Sequence, residues 1–191
     1  MRLYLIRHGE SENNIKGCWT GWQDVALAPK GIEEAYCLGK YLQNVHFDKV
    51  YSSDLIRAAK TAETALPGYV CSQTELLREI NVGSLSGEAF VDGALKYGED
   101  LKENQRNSNF IPYGGENAEQ FDVRLKKFMK MIENSGFENV AAFAHAGVLR
   151  RFGSIVTGNR FSAENVICKN CAVAIFEYTG SKWSLHSWIN F

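Results

Sequence analysis

Two short apolar runs lie far apart in this chain, Leu3–Ile6 and Val140–Ala144, and each breaks off at a histidine. The first is followed by Arg7-His8 and the second by His145. An uninterrupted apolar run of that length, with no polar alternation, is the pattern of a strand covered on both faces, as in a parallel sheet. Between the two runs the signals alternate. A helix entered through Pro29 is predicted over Gly31–Tyr41, with Ile32, Ala35, Leu38 and Leu42 spaced by threes and fours. Lys49–Tyr51 reads as a strand, Asp54–Leu66 as a helix that stops before Pro67-Gly68, and Tyr69–Cys71 as the next strand. Ala118, Phe121, Leu125, Phe128 and Ile132 form the clearest amphipathic stripe, ending toward Gly136. Val148–Val156 follows as a helix before Gly158. Ala172–Tyr178 and Trp183–Ile189 read as strands joined at Thr179-Gly180-Ser181-Lys182. Strands alternating with helices predict an α/β fold, a mostly parallel central sheet flanked by helices in a three-layer sandwich. Such folds bind ligands beyond the carboxyl ends of their strands, where Arg7-His8 and His145 stand.

At 191 residues the chain is expected to form a single domain over 1–191, with a less regular insertion at about 88–113 acting as a lid. A formal net charge of −1 provides no global basic field. Nucleic acid and anionic membrane surfaces are therefore not expected partners, and any anion site must be local. The run Met1–Ile6 is too short for a signal-peptide core or a bilayer span, so a cytoplasmic location is expected. Five cysteines, at 18, 37, 71, 168 and 171, form an odd set suited to a reducing compartment. Cys168 and Cys171 make a C-x-x-C pair without the second ligand pair that structural zinc normally needs. No heptad or apolar face indicates an oligomeric state.

The chemistry concentrates at Arg7-His8-Gly9-Glu10-Ser11 and the following Asn13-Asn14. A neutral imidazole attacks phosphorus through one nitrogen when a carbonyl holds the proton on the other, and a glycine permits that close backbone approach. By itself the segment would also suit a surface histidine beside an unrelated arginine.

Four further segments in the same order remove that ambiguity: Thr20-Gly21-Trp22-Gln23-Asp24 with Leu27 and Lys30-Gly31; Ser52-Ser53-Asp54-Leu55 with Arg57-Ala58 and Thr61-Ala62-Glu63; Leu77-Arg78-Glu79 with Gly83 and Gly87; and Ala144-His145-Ala146-Gly147-Val148-Leu149-Arg150. A weaker fifth is Pro112 with Gly114-Gly115-Glu116 and Arg124. With these the chain resembles the histidine phosphatase superfamily, which includes the cofactor-dependent phosphoglycerate mutases, over residues 2–151. The resemblance implies His8 as the phosphorylated nucleophile, Glu79 as general acid, and Arg7, Arg57 and His145 as the phosphate cradle. Asn14, Thr20, Gly21 and Ala146 take the positions of phosphate and substrate contacts, with Ala146 offering a helix N-terminal N–H. Planar guanidinium forks match phosphate oxygens, and a protonated His145 is expected to complete the cradle. Arg78 is expected to be a structural neighbour of Glu79. Trp22 is placed at the pocket border, whereas His46 and His186 are assigned to the scaffold.

Three functions compete on these residues: a phosphomonoesterase acting on a small phosphorylated metabolite, a phosphoglycerate mutase, and a catalytically silent phosphate-binding or interaction module. A silent module would be expected to lack the nucleophile or the acid, and both are present. Hydrolysis is preferred over isomerisation because the chain stops at Phe191, just after its last predicted strand. The insertion also carries five acids (Glu88, Asp92, Glu99, Asp100, Glu103) against three bases (Lys96, Lys102, Arg106), a balance that does not favour a bisphosphoglycerate. No metal or other cofactor is expected, since the arginines and histidines supply the positive charge.

Overall fold

The computed structural model describes residues 1–191. Strand β1 (Arg2–Arg7) is buried on both faces: Leu3 and Leu5 join one core cluster while Tyr4 and Ile6 join another on the opposite side of the sheet. Successive side chains of a strand point to opposite faces, so an unbroken apolar run feeds two cores at once. The other strands are β2 (Lys49–Ser53), β3 (Cys71–Thr74), β4 (Asn139–Ala144), β5 (Val173–Tyr178) and β6 (Trp183–Ile189). They form one six-stranded sheet in the order β3-β2-β4-β1-β5-β6. The pairs β2/β3, β2/β4 and β1/β4 are parallel, whereas β5 runs antiparallel to both β1 and β6. The sheet is thus mixed, mostly parallel and flanked by helices.

Helices α2 (Pro29–Leu42) and α3 (Ile56–Ala65) cover the face of Tyr4 and Ile6. On the other face lie α5 (Ala118–Glu133) and α6 (Ala146–Thr157). The α5 stripe faces inward as its spacing predicts, with Phe121, Leu125, Phe128 and Ile132 buried. In α2 the stripe is rotated from expectation. Ile32 is exposed, and Gly31 takes the inward position, because the first turn of α2 abuts the loop after β1. A Cβ on Gly9 would lie 2.3 Å from the Gly31 carbonyl oxygen, and one on Gly31 would lie 2.1 Å from that of Glu10. Only glycine at both positions lets helix and loop approach so closely.

Two further helices depart from the sequence reading. A short α1 (Glu12–Lys16) follows the β1 loop and ends at Gly17 in the left-handed region. The insertion is mostly α4 (Phe90–Arg106), kinked at Gly98, rather than irregular. Only Gly93 and Leu101 are buried in it, so no continuous apolar stripe announces the helix. Strand β3 begins at Cys71 rather than Tyr69, a polar edge strand placed by its pairing with Val50–Ser53. No helix is long and apolar enough to cross a membrane.

Candidate active site

The parallel register of β1 and β4 pairs Arg7 with Ala144, so the next residues, His8 and His145, leave the sheet side by side. The His8 N–H donates to the Ala144 carbonyl at 3.0 Å, and the two imidazole rings lie 5.2 Å apart. His8 Nδ1 is 2.7 Å from the carbonyl oxygen of Gly9. That oxygen can only accept, so Nδ1 carries the proton and Nε2 keeps its lone pair. The Gly9 loop is pinned in turn, its N–H donating to Thr61 Oγ1 at 3.0 Å while the Thr61 hydroxyl donates to the Arg57 carbonyl at 2.6 Å.

Both predicted arginines converge on this point. Arg57 donates from one terminal nitrogen to the Gln23 carbonyl at 2.9 Å and from the other to the Gly21 carbonyl at 2.8 Å. Arg7 donates to the Cys168 carbonyl at 2.5 Å. The buried Nε atoms of Arg7 and Arg57 and both ring nitrogens of His145 have no partner in the protein. Buried polar atoms left unmatched are costly, each by about 1–3 kcal/mol, and the Nε–H groups of the two guanidiniums with the one N–H of a neutral His145 ring leave three donors for an anion with several oxygens.

Burial holds Arg7 below the usual guanidinium range and brings Arg57 down to about 10, so both stay cationic at neutral pH. Burial, reinforced by the Arg57 and Arg7 guanidiniums, holds His8 well below the usual imidazole range, which makes it neutral and nucleophilic. His145 is held down in the same way, first by burial and then by Arg57. Burial among cations thus favours the neutral ring of His145 in the free protein, whereas the protonated form is expected as part of a phosphate cradle.

Glu79 approaches from the other side. Its Oε1 accepts from the Ile80 N–H at 2.9 Å and its Oε2 from the Gly147 N–H at 3.0 Å, in the first turn of α6. The Glu79 carbonyl accepts from Trp22 Nε1 and from Arg124, each at 2.7 Å. Arg124 is itself paired with Glu116 at 2.9 Å. Arg78 forms a fork on Asp54 and stacks 4.8 Å from the Trp22 ring, pointing to support rather than phosphate binding.

Among the contact positions, Asn14 Oδ1 accepts from the Ser11 N–H at 3.1 Å and from Asn170 Nδ2 at 3.2 Å. Only its amide donor is left for a ligand. Gly21, at φ 48°, offers its carbonyl to Arg57, which makes its visible contribution the placement of that guanidinium. Thr20 lies beside it, with its carbonyl accepting from the Gln23 N–H at 2.9 Å. Ala146 is the first residue of α6, where N–H groups lack an intrahelical partner. His46 and His186 are exposed and away from the cluster.

Several residues to which the sequence assigns no role complete the frame. Asn170 Nδ2 also donates to the His8 carbonyl at 3.1 Å, and the Cys171 N–H donates to the same oxygen at 3.2 Å. The Cys168–Cys171 turn thus supports Arg7 and His8 through its backbone, while burial pushes the two thiols up to about 11 and about 12. Asp24 Oδ1 accepts from the Ile56 N–H at 2.7 Å and anchors the start of α3 beneath Arg57. A buried asparagine in a late loop carries no periodicity or motif that would have singled out Asn170.

The sequence pattern of the histidine phosphatase superfamily (branch 1) matches residues 3–190. A broad-specificity phosphatase of Saccharomyces cerevisiae is 33% identical over 189 residues, 93% of this chain and 80% of that protein. A 2,3-bisphosphoglycerate-dependent phosphoglycerate mutase of Allorhizobium ampelinum is 32% identical over 186 residues, 91% of this chain and 86% of the mutase. The crystal structure of the alpha-ribazole phosphatase from Shigella flexneri superposes with a TM-score of 0.87 at 26% identity, covering 98% of this chain and 96% of that one. With the family pattern running through nearly its whole length, the chain belongs to the histidine phosphatase superfamily.

Proposed function

We propose that the chain hydrolyses phosphomonoesters of small metabolites in two steps, through a phosphoryl group carried on His8 Nε2. The observation that carries this reading is the 2.7 Å bond from Nδ1 to the Gly9 carbonyl, which leaves Nε2 as the only free lone pair of a buried, neutral ring. In the first step Nε2 bonds to phosphorus, the ester P–O bond breaks, and Glu79 gives its proton to the departing alkoxide. In the second a water attacks phosphorus, Glu79 takes the water's proton, and the P–N bond breaks to release inorganic phosphate. Arg7 and Arg57 carry the equatorial charge in both steps, as phosphoryl transfer requires. His145 takes up a proton as the dianion enters, because a phosphate opposes the cationic push that keeps it neutral. Asn14 and the Ala146 N–H add donors. Helix α4 and its flanks act as a lid of one domain, a role supported by the sparse burial of that helix.

The experiment is a rapid quench at neutral pH with labelled substrate followed by peptide mapping. An acid-labile phosphate on His8, absent in His8→Ala, is expected; label on His145 overturns the assignment. Glu79→Gln should cost alkyl phosphates about 10²–10⁴-fold in turnover and p-nitrophenyl phosphate much less. Equal losses would remove Glu79 from the acid role.

A further inference from the structure

The loop that carries Glu79 has little secondary structure of its own. Between β3 and α4 it holds only two 3₁₀ turns, Glu75–Leu77 and Gly83–Leu85, so most of its backbone groups must find partners elsewhere. Three of them find the same pair of side chains, Arg124 and Glu116. Arg124 donates from one terminal nitrogen to the Leu76 carbonyl at 3.0 Å and from the other to the Glu79 carbonyl at 2.7 Å. Its remaining bonds go to Glu116, from Nε to Oε1 at 2.9 Å and from a terminal nitrogen to Oε2 at 3.0 Å. Glu116 Oε2 also accepts from the Asn81 N–H at 2.8 Å, and the Glu116 N–H donates to the Asn81 carbonyl at 2.8 Å. A Cβ on Gly115 would lie 2.1 Å from that carbonyl oxygen, so the chain before α5 lies tight against the acid loop. Both charged side chains are nearly buried, 11% and 13% exposed, and the Arg124 guanidinium stacks 4.3 Å from the Phe121 ring. Phe121 and Leu125, on either side of Arg124 in α5, are packed in the core. Arg124 therefore stands on a rigid element, and the acid loop is tied to it.

We propose that Arg124 and Glu116 are positioning residues for the proton transfer, an ion pair that holds the peptide between Glu79 and Ile80 in the orientation from which the Glu79 carboxylate meets the leaving oxygen. The proposal rests on the phosphatase reading above. The peptide is held at both ends. Its carbonyl accepts from Arg124 and from Trp22 Nε1, each at 2.7 Å, and its N–H donates to Glu79 Oε1 at 2.9 Å. A rotation of that peptide plane would withdraw the N–H from Oε1 and leave the Gly147 N–H, at 3.0 Å from Oε2, to hold the carboxylate alone. Donation to the carbonyl by a cation also polarises the peptide and strengthens its N–H as a donor. The carboxylate is thus fixed between two helices on one face of the sheet, α6 by direct contact and α5 through Arg124. A planar guanidinium engages two carbonyls and a carboxylate at once, which lysine cannot do. Every hydrogen bond of the two side chains goes to the other or to the acid loop, so phosphate binding by Arg7, Arg57 and His145 should not depend on them.

The test is Arg124→Lys, which keeps the charge that is felt at His145 and removes the fork. Its kcat on propyl phosphate should fall by about 10–10²-fold and on p-nitrophenyl phosphate by no more than about threefold, while KM and inhibition by inorganic phosphate stay within about twofold of native. Amide exchange should quicken at Ile80 and Asn81 and keep its native rate at Leu5 and Val140 in the sheet. Should Arg124→Lys not fold, Glu116→Gln, which keeps the size of the side chain and loses one of its two acceptor oxygens, carries the same expectations. Equal losses on the two esters, or phosphate affinity lost together with kcat, mark a general structural role and overturn the proposal. An undiminished rate on propyl phosphate, or native exchange at Ile80 and Asn81, overturns it as well. In each of these cases Glu79→Gln still discriminates between the esters, and the phosphatase reading stands. If the native protein hydrolyses neither ester, that reading fails and the proton-transfer role fails with it.

Discussion

Gly147→Ala separates the chemistry of Glu79 from the stability of the fold. A Cβ at this position would lie 2.1 Å from Glu79 Oε1 and 3.2 Å from Oε2. An ordinary carbon–oxygen contact needs a little over 3 Å, so the carboxylate must move by about 1 Å. It is the far end of a flexible side chain, so it yields more readily than backbone would. The backbone at Gly147 is helical, and alanine is favoured there by roughly 0.8–1 kcal/mol, which offsets weaker bonds from Ile80 and Gly147. Thermal stability should therefore change little. Catalysis should not be spared: a 1 Å misplacement can cost about 10²-fold, and acid catalysis as a whole is worth about 10²–10⁴. A fall of about 10²-fold in kcat/KM on an alkyl phosphate is expected, equivalent to about 2.7 kcal/mol of transition-state stabilisation. On p-nitrophenyl phosphate, whose leaving group scarcely needs a proton, the loss should be several-fold. A double-mutant cycle with Glu79→Gln sharpens the reading, because two changes acting on one proton transfer cannot each exact their full cost. Full additivity, or equal losses on both esters, would refute the claim that Gly147 acts by leaving room for Glu79.

Stability should fall in acid through the two buried histidines. Their folded pKa values are depressed, so the unfolded chain binds protons below its own value of about 6.5 that the native state refuses. The contribution is full above that pH and is lost as pH falls, by up to about 1.4 kcal/mol per pH unit for each ring. Denaturant midpoints from pH 7 to 5 should drop more steeply for the native chain than for His145→Gln, and parallel slopes would contradict this. Arg57→Lys should raise KM by about 10-fold or more and also lower the melting temperature, since lysine cannot span the carbonyls of Gly21 and Gln23 while facing phosphate. Unchanged KM would remove Arg57 from the cradle. Activity should withstand EDTA, because two guanidiniums already supply the charge a metal would bring; restoration of chelated enzyme by zinc or magnesium would count against that. Supplied with 3-phosphoglycerate and a trace of 2,3-bisphosphoglycerate, the enzyme should release phosphate, and fast isomerisation without release would make it a mutase.

The features legible in the sequence were those written locally. Leu3–Ile6 and Val140–Ala144 announce strands buried on both faces because period-two geometry feeds both cores from one apolar run. Phe121 to Ile132 announces α5 because 3.6-residue geometry gathers those residues into one stripe. His8, Arg7, Arg57, Glu79 and His145 were legible through a family resemblance spread over five segments. Their convergence on one point was settled by strand order and by the Arg7–Ala144 register.

Other features were decided only by tertiary contact. Ile32 lost the inward position to Gly31 because backbone approach at Gly9 outranked the burial of one aliphatic side chain. α4 carries no stripe because few of its residues meet the core, and β3 is polar because an edge strand gains its place from backbone pairing. The neutrality of His145 depends on burial among Arg57, His8 and Arg7, none of which is near it in the chain. A cavity lined by Lys102, Arg106, Lys126, Arg150, Arg151 and Arg160 is assembled from four separate segments, one of them within an insertion that reads as acidic by itself. Charge in a linear segment is a sum over all its side chains, whereas a cavity reads only those the fold turns toward it.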